Sequence, residues 1–365
     1  MKAFLSTFLI AAFHVVWCQD AQNGQETVLD SITHLEDHIY YVVPALPRLC
    51  DSVDSVKERV DIGGCSLYVE MEGDGIPVVL INGGPGGTHH YFHPWFSGIR
   101  ENHRVIYYDQ RGTGLSDFNP QKGYTFRQAV EDLEKLRKKL QIPQWVVCGF
   151  SYGGGLAQMY SATYPEHVLG MVLISPLPLF ESEHFVSEQE KYFSEPEKKK
   201  KNDLVREYLD SGLSLEAFIY NLLLNGDWKR QNYYKPSEDE MIRTALYEWV
   251  NDADFNSVMS GDCGRYDLRG VFENCPLPTL IYEGRNDLTW GGKKAASFKD
   301  SHPLAKLIVF EDAAHMVFRD VPAEFFSSLT KFTRSIQPPE RAQVLAWKEQ
   351  IAKKLLPVSS IRNDQ

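Results

Sequence analysis

Continuous apolar runs alternate with polar, helix-spaced stretches along most of this chain. Pro77–Ile81, Val105–Tyr108, Trp145–Cys148, Met171–Ile174, Thr279–Tyr282 and Leu307–Phe310 have the length and composition of buried strands. Leu67–Glu70 alternates as a half-buried strand does. The segment Thr125–Leu140 puts Phe126, Val130, Leu133, Leu136 and Leu140 at helical spacing, with charges between them. Buried strands alternating with helices predict a mostly parallel sheet covered on both faces. Between Ser175 and about Phe272 no β-type run occurs, and the charge- and aromatic-rich pattern predicts a helical cap inserted into the sheet domain. The expected divisions are 19–60 as a lead-in draped over the domain, 61–175 and 273–336 as the two parts of the core, 176–272 as the cap and 337–365 as a tail. Val344–Leu355 in that tail predicts one further helix.

Composition narrows the class. The chain has 365 residues, 43% hydrophobic and 24% charged, as an ordinary globular protein has. A net charge of −11 argues against a nucleic-acid partner. The lysines 198–201 sit among Glu195, Glu197 and Asp203 and read as a solvated helix face. Lys2 followed by apolar Phe4–Trp17 and polar Gln19-Asp20 predicts a signal peptide over 1–18, hence a secreted or secretory-lumen protein with no stable membrane anchor. In that compartment Cys50 with Cys65 and Cys263 with Cys275 form two local pairs that can bridge, one of three connectivities; Cys148 reads as a buried thiol.

The chemistry centres on Gly149-Phe150-Ser151-Tyr152-Gly153-Gly154, between a predicted strand and the helical Leu156–Tyr160. Strand, G-x-S-x-G, helix is the setting in which a serine stands exposed on a tight turn as a nucleophile. A serine hydroxyl needs a base, normally a histidine oriented by a carboxylate. For this elbow the partners follow in the order acid, then histidine. Asp287 follows the strand Thr279–Tyr282 and His315 the strand Leu307–Phe310, both at carboxyl ends. His302 precedes its strand, and Asp262 and Asp267 lie in the cap exit, which places all three away from that end. The oxyanion that forms on attack needs fixed N–H donors. Tyr152 is the first; the second comes from the loop Asn82-Gly83-Gly84-Pro85-Gly86-Gly87, with Gly84 favoured and Gly83 the alternative. No G-K-[ST] follows that loop, so it does not read as a phosphate loop. His89-His90-Tyr91-Phe92-His93 reads as an apolar lining of the substrate mouth, and no metal or cofactor is expected.

The Asn82–Gly86 loop, Asp109-Gln110-Arg111-Gly112-Thr113-Gly114-Leu115-Ser116 and the elbow together resemble the proline iminopeptidase family. The resemblance runs from about Ser66 to Phe332 and is weakest in the cap. It implies an α/β-hydrolase with a helical cap that cleaves N-terminal residues from short peptides or small amides. It also implies Ser151, Asp287 and His315 as the triad, with the Asp109–Ser116 turn shaping the site. Two positions depart from the family pattern. Asn82 stands where a histidine is usual, able to hydrogen-bond within the loop, and Leu288 where a glutamate holds the substrate amine. Glu207 or Glu248 in the cap is a candidate replacement. The alternatives are a carboxylesterase or lipase with the same triad, or a non-catalytic binding protein on this scaffold.

Overall fold

The computed structural model describes residues 39–118, 123–178, 195–224, 236–252, 254–287, 289 and 294–357. Residues 1–18, read above as a signal peptide, and Leu288 lie outside the described residues. Eight strands form one sheet: β1 (Val56–Asp61), β2 (Ser66–Glu72), β3 (Ile76–Ile81), β4 (His103–Tyr108), β5 (Trp145–Phe150), β6 (Val168–Ile174), β7 (Thr279–Gly284) and β8 (Lys306–Phe310). Their order is β1-β2-β4-β3-β5-β6-β7-β8, and every pair from β4 onward is parallel. The mostly parallel sheet with a helical insertion implied by the sequence is what the chain adopts.

The apolar runs become strands because both faces are covered. Along β5, Trp145 and Val147 join one core while Val146, Cys148 and Phe150 join the other. The first core is closed by α1 (Phe126–Lys139) and α2 (Tyr152–Thr163). The second takes side chains from the insertion helices α3 (Glu195–Ser211), α4 (Leu215–Leu224) and α5 (Glu238–Arg243) with a π turn over Thr244–Glu248, while Phe255, Met259 and Cys263 of α6 (Phe255–Cys263) join the first. Lys199 is exposed on α3 and pairs with Asp203 at 2.6 Å, as a solvated face does. After β7 come α7 (Lys294–Ser301), α8 (Val317–Asp320), α9 (Pro322–Ser335) and α10 (Arg341–Ile351). Trp347 anchors α10 in the first core, its Nε1 donating to Val271 O at 3.1 Å.

Three findings depart from the sequence reading or add to it. Strand β1 is not announced by any apolar pattern: Val-Lys-Glu-Arg-Val-Asp is almost wholly exposed. Its six residues nevertheless pair antiparallel with β2, and their charges suit a sheet edge that must not recruit another strand. The segment before it crosses the insertion. Tyr40 N donates to Asn221 Oδ1 at 2.8 Å, Tyr247 OH to Leu46 O, and Arg243 Nε to Pro47 O at 3.2 Å.

The third concerns cysteines: no disulfide joins Cys50, Cys65, Cys148, Cys263 or Cys275. Cys65 packs with Leu67 and Val69 on one face of the sheet, whereas Cys50 lies beside His89 and His90, against the face that carries Glu70. The sheet separates them. Cys263 ends α6 with its thiol on Ser260 O at 3.4 Å, and Cys275 is buried beyond Phe272; burial pushes both thiols up to about 12.

Candidate active site

The elbow is built by backbone strain that the strand ends hold in place. Ser151 has φ 53° and ψ −119°, a region L-residues avoid unless the surroundings impose it. Here Ser151 N donates to Ile174 O at 2.9 Å, and Leu177 N donates to Ser151 O at 2.7 Å. The two glycines around it allow close packing. A Cβ on Gly153 would fall onto Ile81 O and Asn82 O, at the end of β3. Gly153→Ala is therefore expected to cost about 1–3 kcal/mol, the scale of overpacking. A lower urea midpoint than wild type at unchanged slope is the measurement.

Asp287 and His315 meet where β7 and β8 end. Arg285 N bonds Phe310 O at 2.8 Å and Asn286 N bonds Ala313 O at 2.9 Å, so the two turns are stitched together. His315 Nδ1 and Asp287 Oδ2 are 2.8 Å apart, and both side chains are buried. The carboxylate also accepts Thr289 N at 2.8 Å through Oδ1. An ionised carboxylate only accepts, so Nδ1 carries the proton and Nε2 the lone pair in the neutral ring. The His315 ring lies against the Phe150 ring, centroids 4.9 Å apart, one residue from Ser151.

The Asn82–Gly87 loop crosses the elbow. A Cβ on Gly83 would meet the Phe150 ring and come within 3.3 Å of Ser151 Cβ. Gly84 has φ 121°. Among the described residues, neither Gly83 nor Gly84 gives its N–H to a backbone acceptor. Tyr152 begins α2, where the first N–H groups have no acceptor within the helix. Asn82 is fully buried and donates through Nδ2 to Tyr108 O at 2.8 Å, so it ties the loop to β4 rather than bonding within the loop.

The insertion grips the same loop. Thr88 N donates to Glu248 O at 3.1 Å, Asn251 Nδ2 to Gly86 O at 3.2 Å, and Asn256 Nδ2 to Pro85 O. These two asparagines were invisible as site residues, because no sequence motif links residues so far apart. The Asp109 carboxylate clamps its turn as the shaping reading requires: it accepts His89 N and Leu115 N, each at 2.8 Å.

Several sequence candidates land elsewhere. Glu248 is buried and paired with Arg319 Nη2 at 2.7 Å. Burial raises its pKa, with Arg319 opposing the shift. Glu207 accepts from Tyr41 OH. Of the two carboxylates considered for an amine, Glu248 is thus committed to a buried ion pair, and Glu207 has a protein donor on an exposed face. Asp262 accepts Phe126 N at 2.7 Å at the start of α1, and Asp267 pairs with Arg269. The histidine cluster does not form an apolar mouth. Tyr91 and Phe92 pack on Phe150, but His89 and His93 turn the other way, towards Glu70, Glu72 and Asp109. Strand β2 supplies two of these carboxylates from distant sequence.

Comparison with known proteins agrees with this architecture. Residues 76–321 match the α/β hydrolase fold family. Over 282 residues the chain is 29% identical to a probable proline iminopeptidase from Leptolyngbya boryana, covering 68% of this chain and 85% of that one. It is similar in structure to an esterase from Exiguobacterium antarcticum, with TM-score 0.59, 21% identity, and 74% of this chain and 97% of that one covered. A proline iminopeptidase-related protein from Thermus thermophilus gives TM-score 0.59 and 22% identity, over 78% of this chain and 99% of that one. At such identities the two structures speak to the fold alone. The family match spans most of the described chain, from β3 to the end of α8, and on it the chain belongs to the α/β hydrolase fold family, as a proline iminopeptidase-like hydrolase.

Proposed function

We propose that this chain is a serine aminopeptidase that removes N-terminal residues from short peptides or small amides through an acyl-enzyme. The observation that carries the reading is the buried 2.8 Å pair of His315 Nδ1 and Asp287 Oδ2 beside a strained elbow serine. His315 Nε2 takes the Ser151 hydroxyl proton as Oγ attacks the carbonyl carbon. The N–H groups of Tyr152 and Gly84 receive the oxyanion, an arrangement in which one donor is typically worth about 10²–10³ in rate. Collapse breaks the C–N bond, His315 gives its proton to the leaving amine, and water repeats the cycle on the ester. Asp287 holds the imidazole tautomer and stabilises the imidazolium.

A second reading, an esterase or an amidase for blocked substrates, has one observation in its favour. Glu248 is held in a buried ion pair with Arg319, and Glu207 already accepts from Tyr41 OH, so each candidate acid has a protein partner. A substrate panel separates the two: proline and alanine amides with free amines, the same compounds N-acylated, and a short-chain ester. The aminopeptidase reading expects turnover of the free-amine compounds, and loss of covalent labelling by a serine-reactive probe in Ser151→Ala. Turnover confined to esters or blocked amides would replace it with the second. The secretory destination rests on the Phe4–Trp17 run, and the mass of the N-terminus of exported protein tests it.

A further inference from the structure

Behind the elbow, the segment Leu49–Ser52, the short helix His89–Tyr91 and β2 meet in a buried polar knot. Cys50 and His89 are buried, His90 is half-buried, and one donor atom from each lies within 4.8 Å of the others.

Hydrogen bonding fixes which ring atoms are open. His89 Nδ1 lies 2.9 Å from Asp109 Oδ1 and 3.0 Å from Oδ2. That carboxylate also accepts two backbone N–H groups, so His89 Nδ1 carries the proton. His90 Nδ1 lies 3.0 Å from Thr88 Oγ1, whose single hydrogen goes to Tyr247 O at 2.7 Å. Thr88 must therefore accept at His90, and His90 Nδ1 is also the protonated nitrogen. His90 is left with its lone pair on Nε2; His89 is set between the carboxylates of Asp109 and Glu70, which favour a proton on its Nε2 as well, one that a metal has to displace. His90 Nε2 is buried and makes no hydrogen bond, while His89 Nε2 faces Glu70 Oε1 at 3.4 Å. An imidazole whose far nitrogen donates to an oxygen partner while Nε2 stays open has the posture of a metal ligand. A cavity of about 30 Å³ adjoins this cluster, lined by Cys50 and His90 on one side and by Arg243, Glu248 and Arg319 on the other, which is room for a water.

We propose that Cys50 Sγ, His89 Nε2 and His90 Nε2 bind one zinc ion, with a cavity water as fourth ligand. One thiolate and two imidazoles suit zinc and disfavour magnesium or calcium. Tetrahedral zinc places its donors about 3.3–3.6 Å apart, so the short Leu49–Ser52 segment has to close by about an ångström. Binding releases the Cys50 thiol proton and the proton between His89 Nε2 and Glu70, and the thiolate leaves one positive charge on the ion. Glu70 is at hand to balance it, with Oε1 3.4 Å from His89 Nε2. The ion staples the N-terminal segment to the helix that directly follows the Asn82–Gly87 loop. Its role is structural, since no donor belongs to the elbow or to the Asp287–His315 pair.

The test uses full-length protein, stripped by a chelator and reloaded with Zn²⁺ or Co²⁺ alone. One zinc retained per chain after gel filtration is expected, as is near-ultraviolet sulfur-to-cobalt absorption in the cobalt form. Cys50→Ser abolishes that absorption, while Cys275→Ser leaves it. His90→Gln weakens zinc binding by about 10-fold or more, on the scale that even outer ligand partners contribute. Zinc raises the Tm of wild type and not of Cys50→Ser. Because His90 is half-buried, its variant carries the test if Cys50→Ser does not fold. No zinc retained by wild type, or cobalt absorption that survives Cys50→Ser, overturns the proposal. Neither measurement depends on hydrolase activity.

Discussion

Ser151→Ala is expected to reduce turnover by about 10⁴–10⁶-fold, the scale on which a triad nucleophile acts. Asp287→Asn should cost about 10⁴-fold, because an amide can hold His315 in the wrong tautomer. The double variant should be no slower than Ser151→Ala, since residues that act as one unit are not additive. Substrate affinity is expected to change little, as both changes act on the chemical step. The measurement is kcat and KM with the best compound of the panel, on proteins matched by circular dichroism. A Ser151→Ala enzyme within about tenfold of wild type would assign the reaction to another group.

Acid should weaken this fold through His302, and a His302→Leu variant should be spared that part of the loss. His302 follows α7, its ring stacked on Phe272 with centroids 4.4 Å apart and with Nε2 buried without a hydrogen bond. Burial pushes its pKa down to about 3. The unfolded chain binds the proton near pH 6.5, and the folded chain refuses it. Stability is therefore complete above about pH 6.5 and falls as the pH drops towards 3, below which this contribution levels off. At ~1.4 kcal/mol for each pH unit of that gap, the full loss is roughly 4–5 kcal/mol. Denaturant midpoints at about pH 7 and pH 4.5 should differ by roughly 2–3 kcal/mol more for wild type than for His302→Leu. Carboxylates such as Glu134, held low against its burial by Arg137 and Tyr160, also lose stability in acid, but equally in both proteins. Parallel losses in the two would remove His302 as the cause.

The sheet strands from β3 onward and the elbow were legible because their determinants are local. An apolar run bounded by turn residues can satisfy itself only as a covered strand, and G-x-S-x-G between strand and helix leaves one conformation for Ser151. Strand β1 was not legible, because its charged residues carry no burial pattern and its place comes from pairing with β2. Nor was the fate of the cysteines, since closeness in sequence says nothing of which face of the sheet a thiol reaches. Glu248 illustrates the same limit: its sequence gives a cap carboxylate, and only Arg319, 71 residues on, decides that it is committed to an internal ion pair.

By itself the sequence determined the fold class, the strand-turn-helix elbow at Ser151 and the placing of Asp287 and His315 after their strands, all properties of short segments with strong local preferences. Tertiary structure alone decided that Asp287 and His315 are within hydrogen-bond reach, that Asn251 and Asn256 hold the Asn82–Gly87 loop, and that Cys50, His89 and His90 face one another. Those contacts join segments tens to hundreds of residues apart. They exist only once the sheet has set its strand order and the insertion has packed against it.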